Sequence, residues 1–279
     1  MQWLWVQVIS GTYLIIFALN ESEIKMSYDG YFAIAGVYDK LNKEIDYSEW
    51  ADFFEDCFER YLKEKPSIVL DLACGTGRMT REMSSRGYDM IGIDGSVDML
   101  SLAYSAGGEG ILYLCQDMQE FELYGTVGAT LCCLDSLNYL VEDGDLEKVF
   151  SLVHNYSDPD ALFLFDMNSK YKFENVYSDN SYILEDENED GRQIFCGWQN
   201  FYDSDSKICS FYLSVFEEQK NGSYTRADEE QYERCYELDE IKSLLDKCGF
   251  ELLGVFSDVK FSPIEEESER FYFVTRAKK

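Results

Sequence analysis

Between residues 67 and 167 the chain alternates short apolar runs with helical patterns, and this alternation constrains its fold more than any other feature. The runs are "IVLDLA", "DMIGID" (Asp89–Asp94), "ILYLC" (111–115), "ATLCCL" (129–134) and "ALFLFDM" (161–167). Each is almost wholly apolar, as a strand covered on both faces must be, and strands separated by helices pair in parallel through crossover connections. A helix is read from about Arg78 to Ser85, stopped by Gly87; Ser96 supplies an N-cap for "VDMLSLAYSA"; a third helix spans 145–157.

After Asn168 the texture changes. Strand-like aromatic and β-branched stretches are broken at Asp190-Gly191, at 203–206 and at Asn221-Gly222, all hairpin turn signals, so 181–236 reads as an antiparallel insertion. "LDEIKSLLDKCGF" is then a helix ended by Gly249, followed by strands "ELLGVFSD" and "RFYFVTRAK" that pair antiparallel with the rest. The expected fold is α/β: a doubly wound, seven-stranded, mostly parallel sheet formed by 26–168 and 237–279, with an antiparallel β insertion at 169–236.

Charge narrows the partners. The 279 residues include 54 acidic and 24 basic side chains, a formal net charge of −30; such a field repels polyphosphate and disfavours nucleic acid. General solubility accounts for it, as does selection of a cationic or amine substrate. Nine cysteines with no C-x-x-C pair, most of them inside apolar runs as Cys132 and Cys133 are, behave as small hydrophobes and fit a reducing, cytoplasmic setting. The single histidine, His154, belongs on a helix surface, and no metal site is expected. Residues 3–19 are apolar but broken by Gln7, Ser10, Gly11 and Thr12, have no Lys or Arg before them, and fall short of the ~20 residues of a span. The expectation is that Met26 is the true start and 1–25 a non-native extension; a membrane anchor is the alternative.

"VLDLACGTGRMT" (69–80) explains itself as a ligand turn. A strand ending in Asp71 and followed by Gly75 and Gly77 lets main chain approach a ligand with no Cβ in the way. The dinucleotide pattern G-x-G-x-x-G fails at Thr80, and no Gly-Lys-Ser/Thr follows to make a P-loop. Asp94 ends the next strand 17 positions after Gly77, where a carboxylate accepts the hydroxyls of a ribose. Asp117-Met118 follows the third strand at the same carboxyl edge, an acceptor suited to an exocyclic adenine amine.

Taken in order, "DLACGTG" (71–77), "GIDGSVDML" (92–100) and "CQDM" (115–118) resemble the class I S-adenosylmethionine-dependent methyltransferases, over about 31–167 and the final helix and strand pair. Cys74 fills the variable place of the glycine motif. The resemblance implies S-adenosylmethionine as cofactor, with Asp71, Ala73, Gly75 and Gly77 around its methionine moiety and ribose. Asp94, with Gly95 and Ser96 after it, would take the ribose hydroxyls, Met99 and Met118 would sandwich the adenine, and Asp117 would accept its amine. It places Leu134 beside the transferred methyl with Asp135, Asn138 and Tyr139 toward the acceptor, and makes Tyr31 and Tyr38 an aromatic lid. Plain alternatives stand beside these: Met99 and Met118 as core residues, Tyr31 and Tyr38 as packing aromatics, Asp135 as a solvated turn residue.

Methyl transfer from a sulfonium is an in-line displacement that needs alignment more than a base; Asp135, Tyr38 and Tyr139 are the candidate bases if one exists. The Asn/Asp-Pro-Pro-aromatic turn of nucleic-acid amino-methylases is replaced by "LDSLNY", and the Pro-Cys of cytosine C5 enzymes is absent. The expected acceptor is therefore nitrogen or oxygen of a small molecule, with a tRNA or protein acceptor, or a non-catalytic cofactor-binding module, as alternatives. The insertion, with Trp198 and Phe201, is read as a substrate roof or a homodimer surface.

Overall fold

The computed structural model describes residues 38–188 and 190–279; the 1–25 extension, Met26 and Tyr31 lie outside the described residues. After a single turn, α1 (Tyr38–Leu41), helix α2 (Tyr47–Tyr61) begins where Asp46 accepts the amides of Ser48 and Glu49 at 3.0 and 3.1 Å. It buries Trp50, Phe53, Phe54, Cys57 and Phe58 along one face, the spacing of an amphipathic helix.

The alternating region then builds β1 (Ile68–Leu72), α3 (Arg78–Ser85), β2 (Asp89–Asp94), α4 (Val97–Ser105), β3 (Leu112–Cys115), β4 (Val127–Cys132), α5 (Asp145–Tyr156) and β5 (Ser157–Asn168). The insertion contributes β6 (Ser181–Glu187), β7 (Gln193–Asp203), β8 (Ile208–Glu218) and β9 (Tyr224–Arg234); α6 (Leu238–Lys247), β10 (Phe250–Phe256) and β11 (Arg270–Ala277) close the chain. The main sheet has the order β10-β11-β5-β4-β1-β2-β3, with β11 antiparallel to both neighbours. Each strand splits its side chains between two cores. Val69, Leu162 and Leu164 pack under α2 and α3, whereas Leu70, Leu72, Phe163 and Phe165 pack under α5 and α6. Strand order reverses at β1, so the crevice beyond the carboxyl ends of β1, β2 and β4 is where such a sheet takes a ligand.

Two boundaries differ from the sequence reading. β4 ends at Cys132 rather than at residue 134, because Leu134 and Asp135 turn into the left-handed region at φ 59° and 53°. Both surrender their amides to the Asp166 carboxylate, at 2.7 and 2.9 Å, which holds a backbone state that costs non-glycine residues about 1–3 kcal/mol each. β5 starts at Ser157 rather than at residue 161, its pairing with β4 interrupted between Val127 and Ala129 and Asp160 taking φ 64°.

The insertion is a separate antiparallel sheet in the order β6-β7-β8-β9. Its three turns fall at the predicted sites. Alternation puts Trp198, Asn200 and Tyr202 of β7, Phe211 of β8, and Glu229, Gln231 and Glu233 of β9 on the inward face. That face covers a π-helical segment, Lys172–Tyr177, which the sequence reading did not anticipate: Tyr202 meets Phe173 with ring centroids at 5.6 Å, and Phe211 meets Tyr177 at 5.0 Å. Among the described residues no helix is long and apolar enough to cross a membrane.

Candidate active site

The glycine turn is tied to the second strand by the Cys74 amide, which donates to the Ile93 carbonyl at 2.8 Å. Gly75 and Gly77 both have positive φ, 54° and 73°, yet they serve different ends. A Cβ on Gly77 would lie 2.4 Å from the Tyr113 hydroxyl and 3.0 Å from the Ala103 Cβ, so this glycine lets α3 approach α4 and β3. A Cβ on Gly75 would meet nothing within 4 Å, because it would stand in the open cleft that Gly75 lines. Gly77→Ala is therefore expected to cost about 1–3 kcal/mol through overpacking in addition to the left-handed strain that Gly75→Ala shares. Thermal melts of the two variants side by side check this; equal losses would contradict it.

Asp94 is the hinge of the site. Its Oδ2 accepts the Gly75 amide and its Oδ1 the Ser96 amide, both at 2.8 Å, joining the glycine turn to the start of α4. Ser96 caps α4 by accepting the Met99 amide at 3.2 Å. A carboxylate has about four lone-pair sites, so two remain on the cleft side for a pair of hydroxyls. Burial pushes the Asp94 carboxyl up, opposed by the two amides.

The cleft spans about 670 Å³ when the open water at its mouth is included. Ala73 and Gly75 form its floor and Asp94, Gly95 and Ser96 one wall. Ile93, Met99 and Met118 supply apolar surface, and Tyr38, Ser136 and Tyr139 close the far end. Met99 is also 1% exposed and Met118 packs on the main core, so both the cleft and the core reading describe them.

Several expected residues stand off the cleft wall. Asp71 is fully buried and accepts the Thr80 hydroxyl at 2.5 Å. Asp117 turns back to accept the Gln119 amide at 2.8 Å, leaving its wall position to Gln116. Gly77 and Leu134 pack behind the surface, and Trp198 sits in the insertion core against Tyr182 and Phe211. Asn138 is fully buried, donating to the Arg234 carbonyl and accepting the Asn168 amide, each at 2.9 Å.

Burial pushes the Asp71 carboxyl up to about 7, partly offset by Thr80 and reinforced by Asp94. With the folded value raised above the unfolded one, the folded protein holds the extra proton between pH 4 and 7, so this group lowers stability as pH rises through that window. Asp71→Asn is expected to gain stability relative to the parent as pH climbs from 4 to 8, read by urea unfolding; a constant difference would contradict this.

Behind the far end of the cleft lies a buried charge network that the motifs did not announce. Arg270 of β11 pairs with Asp135 at 2.8 Å and also with Asp166. Asn168 donates through Nδ2 to both Asp135 and Glu233 at 2.8 Å, and Lys172 donates to the Asn168 Oδ1 at 3.0 Å. Asp166 and Asn168 stand two apart at the end of an otherwise apolar strand, a signal that polar partners wait there. Burial raises the Asp135 carboxyl, but Arg270 and Lys172 outweigh it and hold the group below its usual range. Asp135 is thus a fixed ion-pair member and a poor base. Burial, then Tyr47, Asp135 and Asp94, hold the Tyr38 hydroxyl far above its usual range, so it stays protonated.

A family profile described as a methyltransferase domain matches residues 69–160. The chain is 35% identical to YqeM of Bacillus subtilis (strain 168), a protein provisionally named a methyltransferase, over 91% of this chain and 98% of that one. The chain belongs to the class I S-adenosylmethionine-dependent methyltransferases. A crystal structure of an S-adenosylmethionine-dependent methyltransferase from Clostridium acetobutylicum ATCC 824 overlays this methyltransferase with a TM-score of 0.78 at 30% identity, covering 89% of this chain and 99% of that one. The sugar N-methyltransferase KedS8 from Streptoalloteichus sp ATCC 53650 shares the fold, with a TM-score of 0.73 at 16% identity over 98% and 100% of the chains. The residues present fit the cofactor: an open cradle over Gly75, a diol-ready Asp94, and two methionines beside an apolar slot.

Proposed function

We propose that this methyltransferase transfers a methyl group to nitrogen or oxygen of a small polar acceptor, held between the cofactor cleft and the inward face of the insertion. One contact carries the reading. Tyr139, on the cleft wall, donates its hydroxyl to Gln231 Oε1 of β9 at 3.0 Å, so the insertion roofs the far end of the cleft. The fold shared with a sugar N-methyltransferase supports a small acceptor, and a net charge of −30 disfavours RNA.

The bound cofactor supplies a methyl group on a positively charged sulfur. Asp94 would hold the ribose hydroxyls, Met99 and Met118 would flank the adenine, and the bare backbone of Gly75 would give the ligand room. Tyr38 and Tyr139 line the cleft, where their rings would lie near the cationic centre. The bond to Gln231 fixes the Tyr139 hydroxyl at the cleft wall. Alignment under a roof that excludes water is the main contribution, as expected for in-line transfer from an activated donor.

The test is label transfer from methyl-labelled S-adenosylmethionine to three cell fractions: small molecules, RNA and protein. Label in the small-molecule fraction is expected. Label confined to RNA or protein would overturn the proposal.

A further inference from the structure

We propose that the acceptor is an amine, bound as its ammonium form against Glu233, and that Glu233 takes the amine proton before the nitrogen attacks. This rests on the small-acceptor reading above.

Among the described residues, the buried network holds three carboxyls, Asp135, Asp166 and Glu233, against two cations, Lys172 and Arg270. Arg270 is committed to Asp135 and Asp166, and Lys172 donates to Asn168 while lying 5.0 Å from the Tyr177 ring centre. No described cation pairs with Glu233, which is 3% exposed and takes one hydrogen bond, from Asn168 to Oε2 at 2.8 Å. Its Oε1 accepts from no described residue. Lys172 and Arg270 act on Glu233 only from a distance, and a buried carboxylate with no direct ion pair is costly, its remedies being a proton or a cation. Burial and the neighbouring Asp135 push the Glu233 carboxyl well above its usual range, toward the basicity a proton acceptor needs at neutral pH.

A second observation points to a ligand on the same face. Asn200 is 2% exposed, and neither its amide nitrogen nor its amide oxygen has a hydrogen-bond partner. Strand alternation turns it inward with Tyr202 and Trp198, whose indole nitrogen is likewise unpaired. Buried polar groups of this kind are normally satisfied. A polar acceptor carrying an ammonium group neutralises Glu233, and a hydroxyl on it would give Asn200 a partner, whereas a neutral alcohol supplies no counter-charge to the carboxylate. In the proton step, an N–H bond of the ammonium breaks with its electron pair remaining on nitrogen, and an O–H bond forms on Glu233. The neutral amine then holds the lone pair that methyl transfer requires, and Glu233 returns its proton to water after product leaves.

The experiment is calorimetric titration of n-butylammonium and of n-butanol into the full chain saturated with S-adenosylhomocysteine, repeated with Glu233→Gln. The parent should bind the ammonium at least about tenfold more tightly than the alcohol, and Glu233→Gln should abolish that preference while still binding S-adenosylhomocysteine. Equal affinities, a preference for butanol, or absent ammonium binding in the parent would overturn the inference without reference to the variant. Labelled methyl found on oxygen of a small molecule would overturn it and leave the proposed function standing; label found in RNA or protein alone would overturn the proposed function itself.

Discussion

Asp94→Ala should weaken S-adenosylhomocysteine binding by about a hundredfold or more. Two hydroxyls donating to a carboxylate contribute about 1.5–3 kcal/mol each, and 1.4 kcal/mol is a factor of ten. The substitution also releases the amides of Gly75 and Ser96 that the carboxylate gathers at 2.8 Å, so the glycine turn and the start of α4 lose their shared anchor. Asp94→Asn separates the two contributions: its amide oxygen can keep one backbone bond, but its NH₂ faces a second donor and repels it. Calorimetry on both variants checks the order parent, then Asn, then Ala, with circular dichroism establishing that the main sheet persists. An Asp94→Ala variant that binds the ligand as the parent does would remove Asp94 from the site.

Arg270→Leu should destabilise the protein by about 3–5 kcal/mol, the usual cost of removing one partner from a buried ion pair. The guanidinium neutralises Asp135 at 2.8 Å and Asp166, which is 1% exposed and holds the amides of Leu134 and Asp135. Without it both carboxyls rise in pKa, because the charge that lowered them is gone. A raised folded-state pKa costs stability as pH increases, so the variant's deficit should be smallest in acid and grow toward neutral pH. Urea unfolding across pH reads this. Adding Asp135→Asn to Arg270→Leu should restore part of the loss, since it removes one orphaned charge. A deficit independent of pH would mean that Arg270 acts through packing of its stem.

The cofactor side of this protein was legible because it is local. Asp71 to Gly77 and Asp94 to Met99 are short contiguous stretches, each set at a strand end by the alternation that also defines the sheet, so motif and position could be read together. The hairpin turns at Gly191 and Gly222 were legible for the same reason, as positive φ at 75° and 78° selects glycine. Asp117 shows the limit. The strand end was placed correctly, yet which of two adjacent side chains lines the cleft depends on a turn that Asp117 itself makes with Gln119. The acceptor side was hidden because it is assembled from distant segments. Asp135, Asn168 with Lys172, Glu233 and Arg270 come from four places in the chain, and it is the pairing of Arg270 with Asn168 across β11 and β5 that brings the last of them in. The packing of Trp198 against Tyr182 and Phe211 was hidden for a related reason: an aromatic in a sheet can face ligand or core, and register decides which.

The most direct test of the account is a crystal structure of the protein with S-adenosylhomocysteine bound. Adenine is expected between Met99 and Met118, the ribose hydroxyls on Asp94, and the sulfur turned toward Tyr38, Ser136 and Tyr139 beneath β9. A ligand seated away from Gly75 and Asp94, or with its sulfur turned away from the insertion, would contradict it.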